Sequence, residues 1–267
     1  MHILIIGGMG KTAEPIIELL LEQNYEISVF DIATHSDYVF AGKVRVLNGN
    51  VCDYESIFDA MKDTDIVIHL AVNIHETKDD HLSFDTNVFG MYNVLRSAQV
   101  NNIKKTIIAS SAPVHVLEEL EKAKHQNSSI NYFCHAGEDF TYDLTKNIQE
   151  LIAENFALTY NMHISMLRLG HIVDGKNDTD LHNSPLNTCM YCRGGWVCKY
   201  DVARAFSKAI ESNISGYQMF NIIGSYQAAE YFDMQHTEKV LGFECTEKFY
   251  NIQLCTSPTN SNLLADC

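Results

Sequence analysis

The stretch MHILIIGGMGKTA, residues 1–13, decides the fold of this chain. Its residues 2–6 form a short apolar run, which is typical of a buried parallel strand. A glycine-rich turn follows at 7–10. A helical pattern comes next, with apolar side chains one turn apart at Ile16, Ile17, Leu20 and Leu21. A strand, a glycine turn and a helix in this order predict the first unit of a nucleotide-binding sheet.

The composition of this turn suits a dinucleotide. Glycines have no Cβ, so the turn is tight and its backbone can approach a pyrophosphate, while the next helix offers unpaired N–H groups. Lys11 and Thr12 also resemble the end of a P-loop, but that motif requires a glycine where Ile5 stands. We therefore expect the cofactor to be bound at Gly7, Gly8, Met9 and Gly10.

An acidic residue strengthens this interpretation. Asp31 ends the second apolar run, about 20 residues beyond the glycine turn, where a carboxylate accepts hydrogen bonds from the adenosine ribose. Because its charge would repel a 2′-phosphate, the sequence favours NAD over NADP.

Apolar runs alternate with helical patterns along the chain, which predicts a parallel sheet. Strands are expected at 2–6, 26–31, 43–48, 65–70, 104–109 and 163–169, and helices at 79–100, 140–160 and 201–212. The fold class is therefore α/β, a doubly wound parallel sheet (Rossmann fold) with a small C-terminal substrate lobe. The polar stretch 174–190 is the candidate substrate-side loop.

Bulk properties exclude several classes of function. The chain has 267 residues and a formal charge of −15, which argues against binding nucleic acid. No apolar run is long enough for a membrane span, and the N-terminus does not resemble a signal peptide, so we expect a cytoplasmic protein with reduced thiols. Cys189, Cys192 and Cys198, with His182 nearby, lack a second ligand pair, so no metal site is predicted.

A tyrosine and a lysine form the candidate catalytic group. Tyr142 and Lys146 are four residues apart, which places them on one face of a helix. A phenol has an ordinary pKa of about 10, and a nearby ammonium stabilises the phenolate. Tyr142 is then able to take a hydroxyl proton while hydride leaves the same carbon, or to donate one in the reduction. A surface pair of side chains four residues apart is the alternative interpretation.

The fifth predicted strand ends in Ser110 and Ser111. Active sites of open α/β sheets lie at the carboxyl ends of strands, so a serine hydroxyl here can bind a reacting oxygen. A turn or capping serine is the alternative.

Together these segments resemble one known family. From residue 1 to about 249 the chain is similar to the extended short-chain dehydrogenases/reductases, the NAD-dependent epimerase/dehydratase family. Besides the glycine turn and Asp31, the resemblance is carried by Gly49–Asp53 (GDVTD), Asp65–Ala71 (DxVxHLAA), Asn87–Leu95 (NVxGTxNLL), Ser110–His115 (SSxAVYG), Tyr142–Leu151 (YxxSKxxxExL), Arg168–Ile172 (R[LP]GNVYG), Lys199–Ala203 (HVDDVA) and Phe220–Gly224 (YNIGG).

The resemblance implies roles for individual residues. The catalytic residues it implies are Ser111, Tyr142, Lys146 and Asn87, the last as part of a proton relay. Asp53 is implied to meet the adenine and Lys146 the nicotinamide ribose. The other residues implied to line the NAD site are Val51, Leu70, Ala71, Asn87, Tyr142 and Leu169. The resemblance also implies a homodimer formed through helices 79–100 and 140–160.

The short connection between Gly175 and Trp196 implies a small lobe and a small substrate, such as a sugar, sugar acid or polyol. In length and layout the chain resembles the uronate dehydrogenases, although Ala112 stands where they carry an asparagine. The expected substrate-side residues are Ser111, Ala112, Tyr142, His171 and Arg193. The expected division is 1–170 for the NAD-binding domain, 171–254 for the interleaved lobe and 255–267 for a tail.

Three functions remain open at this point. The first is an NAD-dependent oxidoreductase that transfers hydride to or from a small hydroxylated substrate. The second is an NAD-retaining sugar or nucleotide-sugar epimerase or dehydratase. The third is a non-catalytic, NAD-binding regulatory protein.

Overall fold

The computed structural model of the protein describes residues 1–34, 36–74, 79–112, 140–189, 195–226, 232–247 and 249. Its main strands are β1 (His2–Ile6), β2 (Glu26–Asp31), β3 (Arg45–Asn48), β4 (Ile66–His69), β5 (Lys105–Ser111), β6 (Ile164–Leu169) and β10 (Tyr217–Ile222). Its helices are α1 (Ala13–Glu22), α2 (Tyr54–Ala60), α3 (Asp80–Ser83), α4 (Gly90–Val100), α5 (Phe140–Tyr160), α6 (Lys199–Glu211) and α7 (Met234–His236). The π-helical stretches Phe84–Phe89 and Thr237–Leu241 continue α3 and α7.

The seven main strands form one parallel sheet in the order β10-β6-β5-β4-β1-β2-β3. The predicted doubly wound sheet is thus confirmed. The strand order reverses between β1 and β4, and open α/β sheets bind ligands outside the carboxyl ends of strands at such a point. The fold therefore places the ligand site above Ile6 and His69, which are register partners.

Both faces of the sheet are buried, because successive strand residues point to opposite sides. Ile3 and Ile5 face α1 and α6, whereas Leu4 and Ile6 face α2, α4 and α5. This explains why the central strand β1 is a continuous apolar run from Ile3 to Ile6.

The predicted helix over 79–100 is present but is not uniform. It runs as α3, the π-helical stretch Phe84–Phe89 and α4. One-turn π segments inside helices are frequent at functional sites. This one contains Asn87, which is fully buried.

A second, three-stranded sheet follows β6. It consists of β7 (His171–Asp174), β8 (Thr179–Asp180) and β9 (Trp196–Cys198) in the order β8-β7-β9. The main-chain N–H of Trp196 donates to the hydroxyl of Ser225 at 2.9 Å. The polar stretch 174–190 contains the short strand β8, which a turn-rich composition does not predict.

The expected lobe, 171–254, contains this small sheet but also α6 and β10, which pack on or within the main sheet. The expected tail, 255–267, lies outside the described residues. In the described part of the chain, no helix has the length and apolar character that crossing a membrane requires.

Candidate active site

The glycine turn at the end of β1 is fixed by close contacts. Gly7 has a φ of +81°, a region that favours glycine, and its N–H donates to the carbonyl of Phe30 at 2.8 Å. A Cβ on Gly7 would lie 2.5 Å from the main-chain nitrogen of Ala71. A Cβ on Gly8 would lie 2.7 Å from the side chain of Val29. Both glycines are therefore required by the protein's own packing.

Gly10 differs from these two glycines. A Cβ there would meet only the carbonyl of Gly7, at the ordinary distance of 3.5 Å, so the space beside Gly10 is open. Thr12, at the N-cap of α1, makes no side-chain cap. Of the first N–H groups of α1, that of Ala13 donates to the carbonyl of Gly10 at 3.0 Å. The open space beside Gly10 and the start of a helix without a side-chain cap fit a pyrophosphate.

Asp31 lies beside the turn, half-buried at the end of β2. Its Oδ2 accepts the N–H of Met9 at 2.9 Å, and its Oδ1 accepts the N–H of Ala33 at 2.9 Å. Each carboxylate oxygen has a second lone pair, which leaves acceptors for ribose hydroxyls. The position therefore fits the NAD-specific role expected of it.

Tyr38 closes the other side of the turn, and the sequence did not point to it. Its hydroxyl donates to the carbonyl of Gly8 at 3.1 Å. Burial, and next the charge of Asp31, raise its pKa to about 12, so the phenol stays neutral. A cavity of about 230 Å³ lies between the turn and this segment. Its lining residues are Gly8, Met9, Gly10, Lys11, Glu14, Asp37, Tyr38, Val39 and Phe40.

Residues after β3 and β4 complete the upper rim of the sheet. Asp53 is exposed and caps α2 by accepting the N–H of Ser56 at 3.5 Å. Val51 is buried, and its carbonyl accepts the side-chain amide of Asn93 at 3.0 Å. Leu70 and Ala71 follow β4 directly above the glycine turn, as the Gly7 contact requires. The expected contacts of these residues with the cofactor stay predictions.

Lys146 is buried on α5 and reaches β5. Its Nζ donates to the carbonyl of Ala109 at 3.0 Å and lies 5.8 Å from the centre of the Tyr142 ring. Burial lowers the pKa of Lys146 to about 8, and the charge of Glu150 partly opposes that shift. The structure thus brings the two predicted side chains together on one helix face.

The two serines that end β5 have different environments. Ser110 is buried, and its hydroxyl donates to Glu150 at 2.6 Å. Ser111 is half-exposed at the strand's end. Its neighbour Ala112 is buried and donates its N–H to the carbonyl of Leu169 at 2.8 Å. Ser111 is therefore the serine accessible from the site.

Asn87 joins three segments below the site. Its Oδ1 accepts the N–H of Asn73 at 2.7 Å, and its Nδ2 donates to the carbonyl of Asn73 and to the hydroxyl of Thr145, both at 3.0 Å. The main-chain carbonyl of Asn87 accepts a hydrogen bond from the side-chain amide of Gln149 at 2.7 Å. These bonds fix the helix turn that carries Lys146. A role in proton relay stays a prediction.

A buried ion pair anchors the same helix to β6. Arg168 donates its Nε to Glu150 Oε1 at 2.8 Å and its Nη2 to Oε2 at 2.5 Å. Ser110 completes the set of bonds to this carboxylate. Glu150 lies one turn beyond Lys146, so the pair fixes the helix that presents the catalytic group. The sequence resemblance did not predict this pairing.

His69 is a buried histidine at the end of β4, between Ile6 and Ile108. Neither ring nitrogen has a hydrogen-bond partner in the described part of the chain. Burial, and next the charge of Lys146, lower its pKa to about 3. The ring is therefore neutral at working pH and adds no second charge beside Lys146.

The expected substrate side is only partly described. His171 begins β7, and burial lowers its pKa, while Asp180 opposes the shift. Arg193, and the His75 that the sequence also suggested for the pocket, lie outside the described residues. Within the described ranges no three histidine, cysteine or acidic side chains are grouped as metal ligands. Cys189 and Cys198 are not joined in a disulfide there, and Cys192 is not described.

Known proteins similar to this chain include NAD-dependent enzymes. Residues 3–193 match the NAD dependent epimerase/dehydratase family. L-arabinose 1-dehydrogenase (NAD(P)(+)) of Haloferax volcanii is 20% identical over 248 residues, which are 91% of this chain and 95% of that protein. Human sterol-4-alpha-carboxylate 3-dehydrogenase, decarboxylating, is 30% identical over 110 residues, which span 41% of this chain and only 29% of that protein.

Solved structures share the fold. UDP-glucose 4-epimerase from Thermotoga maritima, solved with UDP-glucose, has a TM-score of 0.70 at 18% identity and covers 92% of this chain and 94% of its own. A short-chain dehydrogenase/reductase superfamily protein from Agrobacterium tumefaciens, solved with NAD, has a TM-score of 0.68 at 17% identity and covers 92% of both chains. The chain therefore belongs to the NAD-dependent epimerase/dehydratase family and is an NAD-dependent enzyme of the extended short-chain dehydrogenase/reductase type.

Proposed function

We propose that this enzyme transfers a hydride between NAD and a small hydroxylated substrate (a sugar, sugar acid or polyol), with Tyr142 as general acid and base. The observation that carries the proposal is the position of Lys146, whose buried ammonium lies 5.8 Å from the Tyr142 ring at the carboxyl edge of the sheet. An ammonium so close to a phenol favours the phenolate. NAD, when bound, supplies the hydride acceptor or donor.

In this proposal each side chain of the site has a separate role. In the oxidising direction Tyr142 accepts the hydroxyl proton of the substrate while the hydride leaves the same carbon; in reduction it returns the proton to the carbonyl oxygen. Ser111 donates a hydrogen bond to the reacting oxygen, which holds it against Tyr142. The ammonium of Lys146 supplies the positive charge beside the Tyr142 ring that favours the phenolate. Asn87 is a positioning residue, because its bond to Thr145 fixes the helix turn next to Lys146.

The size of the lobe supports a small substrate. Only about 20 residues connect β7 to β9, and β8 with its turn takes up part of them. His171 lies at the start of β7. We propose that it binds the substrate, as we propose for Ala112 and Arg193. The arabinose dehydrogenase, which this chain covers almost end to end, acts on a free sugar by its name, which also supports this substrate class.

An NAD-retaining epimerase or dehydratase is the second candidate. It is favoured by the fold shared with a UDP-glucose 4-epimerase over 94% of that chain. Native mass spectrometry of the purified protein separates the two. Stoichiometric NAD that survives desalting favours the epimerase, and free exchange of NAD favours the dehydrogenase. A non-catalytic NAD-binding protein would show no turnover with any substrate.

The test of the proposal is a panel of free sugars, uronic acids, polyols and UDP-glucose, followed by NADH absorbance. We expect turnover with a small sugar or its derivative. Tyr142→Phe should lower kcat by at least about 1000-fold with NAD affinity within twofold, since only the proton transfer is lost. Tyr160→Phe, at the far end of the same helix, is the matched control and should retain full activity. Turnover that survives Tyr142→Phe would refute the assigned role.

We also propose a homodimer formed through the outer faces of α4 and α5. Large apolar side chains on these helices are exposed in the single chain, among them Leu158 at 76%, Leu151 at 55% and Tyr92 at 46%. Large exposed apolar side chains on two neighbouring helices are typical of an interface. Leu158→Lys should shift the protein to a monomer in analytical ultracentrifugation, and the exposed control Val240→Lys should not. A wild-type monomer at micromolar concentration would contradict the dimer.

A further inference from the structure

One contact crosses from the glycine turn to the small sheet. The ammonium of Lys11 lies 3.0 Å from Nδ1 of His182, a residue 171 positions later in the chain. An ammonium has only donors, so Nδ1 of His182 is the acceptor in this contact. The contact joins the residue directly after Gly10 to the loop that follows β8.

The loop side of this contact is held in place. Oδ1 of Asp180 accepts the main-chain N–H of His182 at 2.7 Å and that of Ser184 at 2.8 Å. Asp180 itself lies on β8, which pairs with β7 opposite Val173. His182 thus has a defined position relative to the strand that begins with His171.

The charged residues around the cavity indicate a role for Lys11. Of the described residues that line the 230 Å³ cavity beside the glycine turn, Lys11 is the one cation, and Glu14 and Asp37 are the anions. Asp31 adds a further negative charge next to the turn. A dinucleotide brings two more negative charges in its pyrophosphate, to a chain of formal charge −15. The ammonium of Lys11 is placed to compensate them, because Lys11 directly follows the glycine turn and lines this cavity.

We propose that Lys11 and His182 form a clasp over the cofactor: Lys11 binds the pyrophosphate, and His182 holds the ammonium above the turn. Binding of the dinucleotide is then coupled to the stability of residues 177–186. Both side chains are exposed, so the contact by itself adds little to stability, as is usual for exposed polar pairs. The proposal rests on the use of NAD by this site and adds two residues to it.

The test uses isothermal titration of the full chain with NAD, ADP-ribose and adenosine. Lys11→Met should weaken ADP-ribose and NAD about tenfold and change adenosine less than twofold, because only the first two carry the pyrophosphate. Lys62→Met, which removes an exposed lysine at the end of α2, is the matched control and should change none of them. Circular dichroism confirms the fold of each variant.

The role of His182 is tested by a double-mutant cycle. We expect His182→Ala to weaken ADP-ribose about threefold, and the double variant to be no weaker than Lys11→Met alone, since His182 acts through the lysine. Hydrogen exchange should show NAD-induced protection of 177–186 in the wild type and in Lys62→Met but not in Lys11→Met.

Each outcome decides a different claim. If the wild type binds no NAD, the cofactor assignment fails. If it binds NAD but Lys11→Met binds ADP-ribose equally well, the clasp alone is refuted. Additive effects of the two substitutions, or equal loss of adenosine and ADP-ribose, would also overturn it.

Discussion

The side-chain ammonium of Lys146 donates a hydrogen bond to the main-chain carbonyl of Ala109 at 3.0 Å and so ties α5 to the carboxyl end of β5. Lys146 is buried, and burial lowers its pKa to about 8. A cation that titrates so close to neutrality is able to set the pH range in which the neighbouring phenol works.

The first prediction concerns this titration. Below pH 8 Lys146 carries its charge and favours the phenolate of Tyr142, and above pH 8 it loses that charge. We expect kcat/KM for substrate oxidation to have a descending limb near pH 8, with a loss of about tenfold per pH unit above it. Glu150→Gln should move the limb to lower pH, because Glu150 raises the pKa of Lys146.

The matched control for that profile is Lys146→Arg, whose guanidinium stays protonated over the whole range. Its residual activity should show no descending limb near pH 8. A limb at the same pH in this variant would assign the titration to another group.

The second prediction concerns the choice of cofactor. Asp31→Ala should weaken NAD about tenfold and raise the ratio of NADP to NAD affinity, since the carboxylate no longer binds the ribose or repels a 2′-phosphate. Asp31 also accepts two main-chain N–H groups, so Asp31→Asn, which keeps acceptor oxygen while removing the charge, separates repulsion from turn geometry. Fluorescence titration with NADH and NADPH measures both. An unchanged preference in Asp31→Asn would mean that charge does not discriminate.

The third prediction concerns the buried ion pair. Arg168→Met leaves the Glu150 carboxylate buried without its partner and should lower the free energy of unfolding by about 3–5 kcal/mol in urea. The double variant Glu150→Leu with Arg168→Met should recover most of that loss, because no unpaired charge remains. Lys208→Met, in the exposed pair with Glu211, should cost less than about 1 kcal/mol. Equal losses for the single and double variants would contradict this account.

The fourth prediction concerns stability in acid. His69 has a pKa of about 3 in the folded chain, whereas an unfolded histidine has one of about 6.5. As pH falls below 6.5 the unfolded chain binds a proton that the folded chain excludes, so stability decreases by about 1.4 kcal/mol per pH unit.

His69→Leu should remove that component. The difference in unfolding free energy between His69→Leu and wild type should therefore grow in favour of the variant from pH 6.5 to pH 4.5. The variant His81→Leu, at an exposed position, is the control for replacing a histidine outside the core. A flat difference for His69→Leu would mean that the ring gains a proton without unfolding the protein.

The sequence predicted most of the large elements, because each repeats a simple pattern, but it did not predict β10 or α2. The predicted bounds of strands β1 and β2 and of helix α5 equal the observed ones. Each of these elements is recognisable from its own sequence pattern, without contacts from distant parts of the chain. The short strands β7 and β8 were not predicted. They have only four and two residues, and their pairing depends on a turn held by the side chain of Asp180.

At the site, spacing along one helix was enough to bring Tyr142 and Lys146 together. Spacing did not choose between Ser110 and Ser111, and only the family resemblance named Ser111. The difference between the two serines depends on Glu150, which reaches Ser110 from another element. The contact of Lys11 with His182 joins residues 171 positions apart, and no local pattern encodes such a distance. Long-range polar contacts of this kind become visible only in the folded chain.

The indole of Trp196 gives the protein a built-in optical probe. It is the single tryptophan of the chain, is nearly inaccessible to water, and meets the ring of Phe249 edge to face at 5.8 Å. Emission excited at the red edge of the aromatic band therefore comes from the small sheet alone. Conformational changes in that sheet can be followed by this emission without a label, because the tyrosines and phenylalanines of the main sheet are not excited at that wavelength.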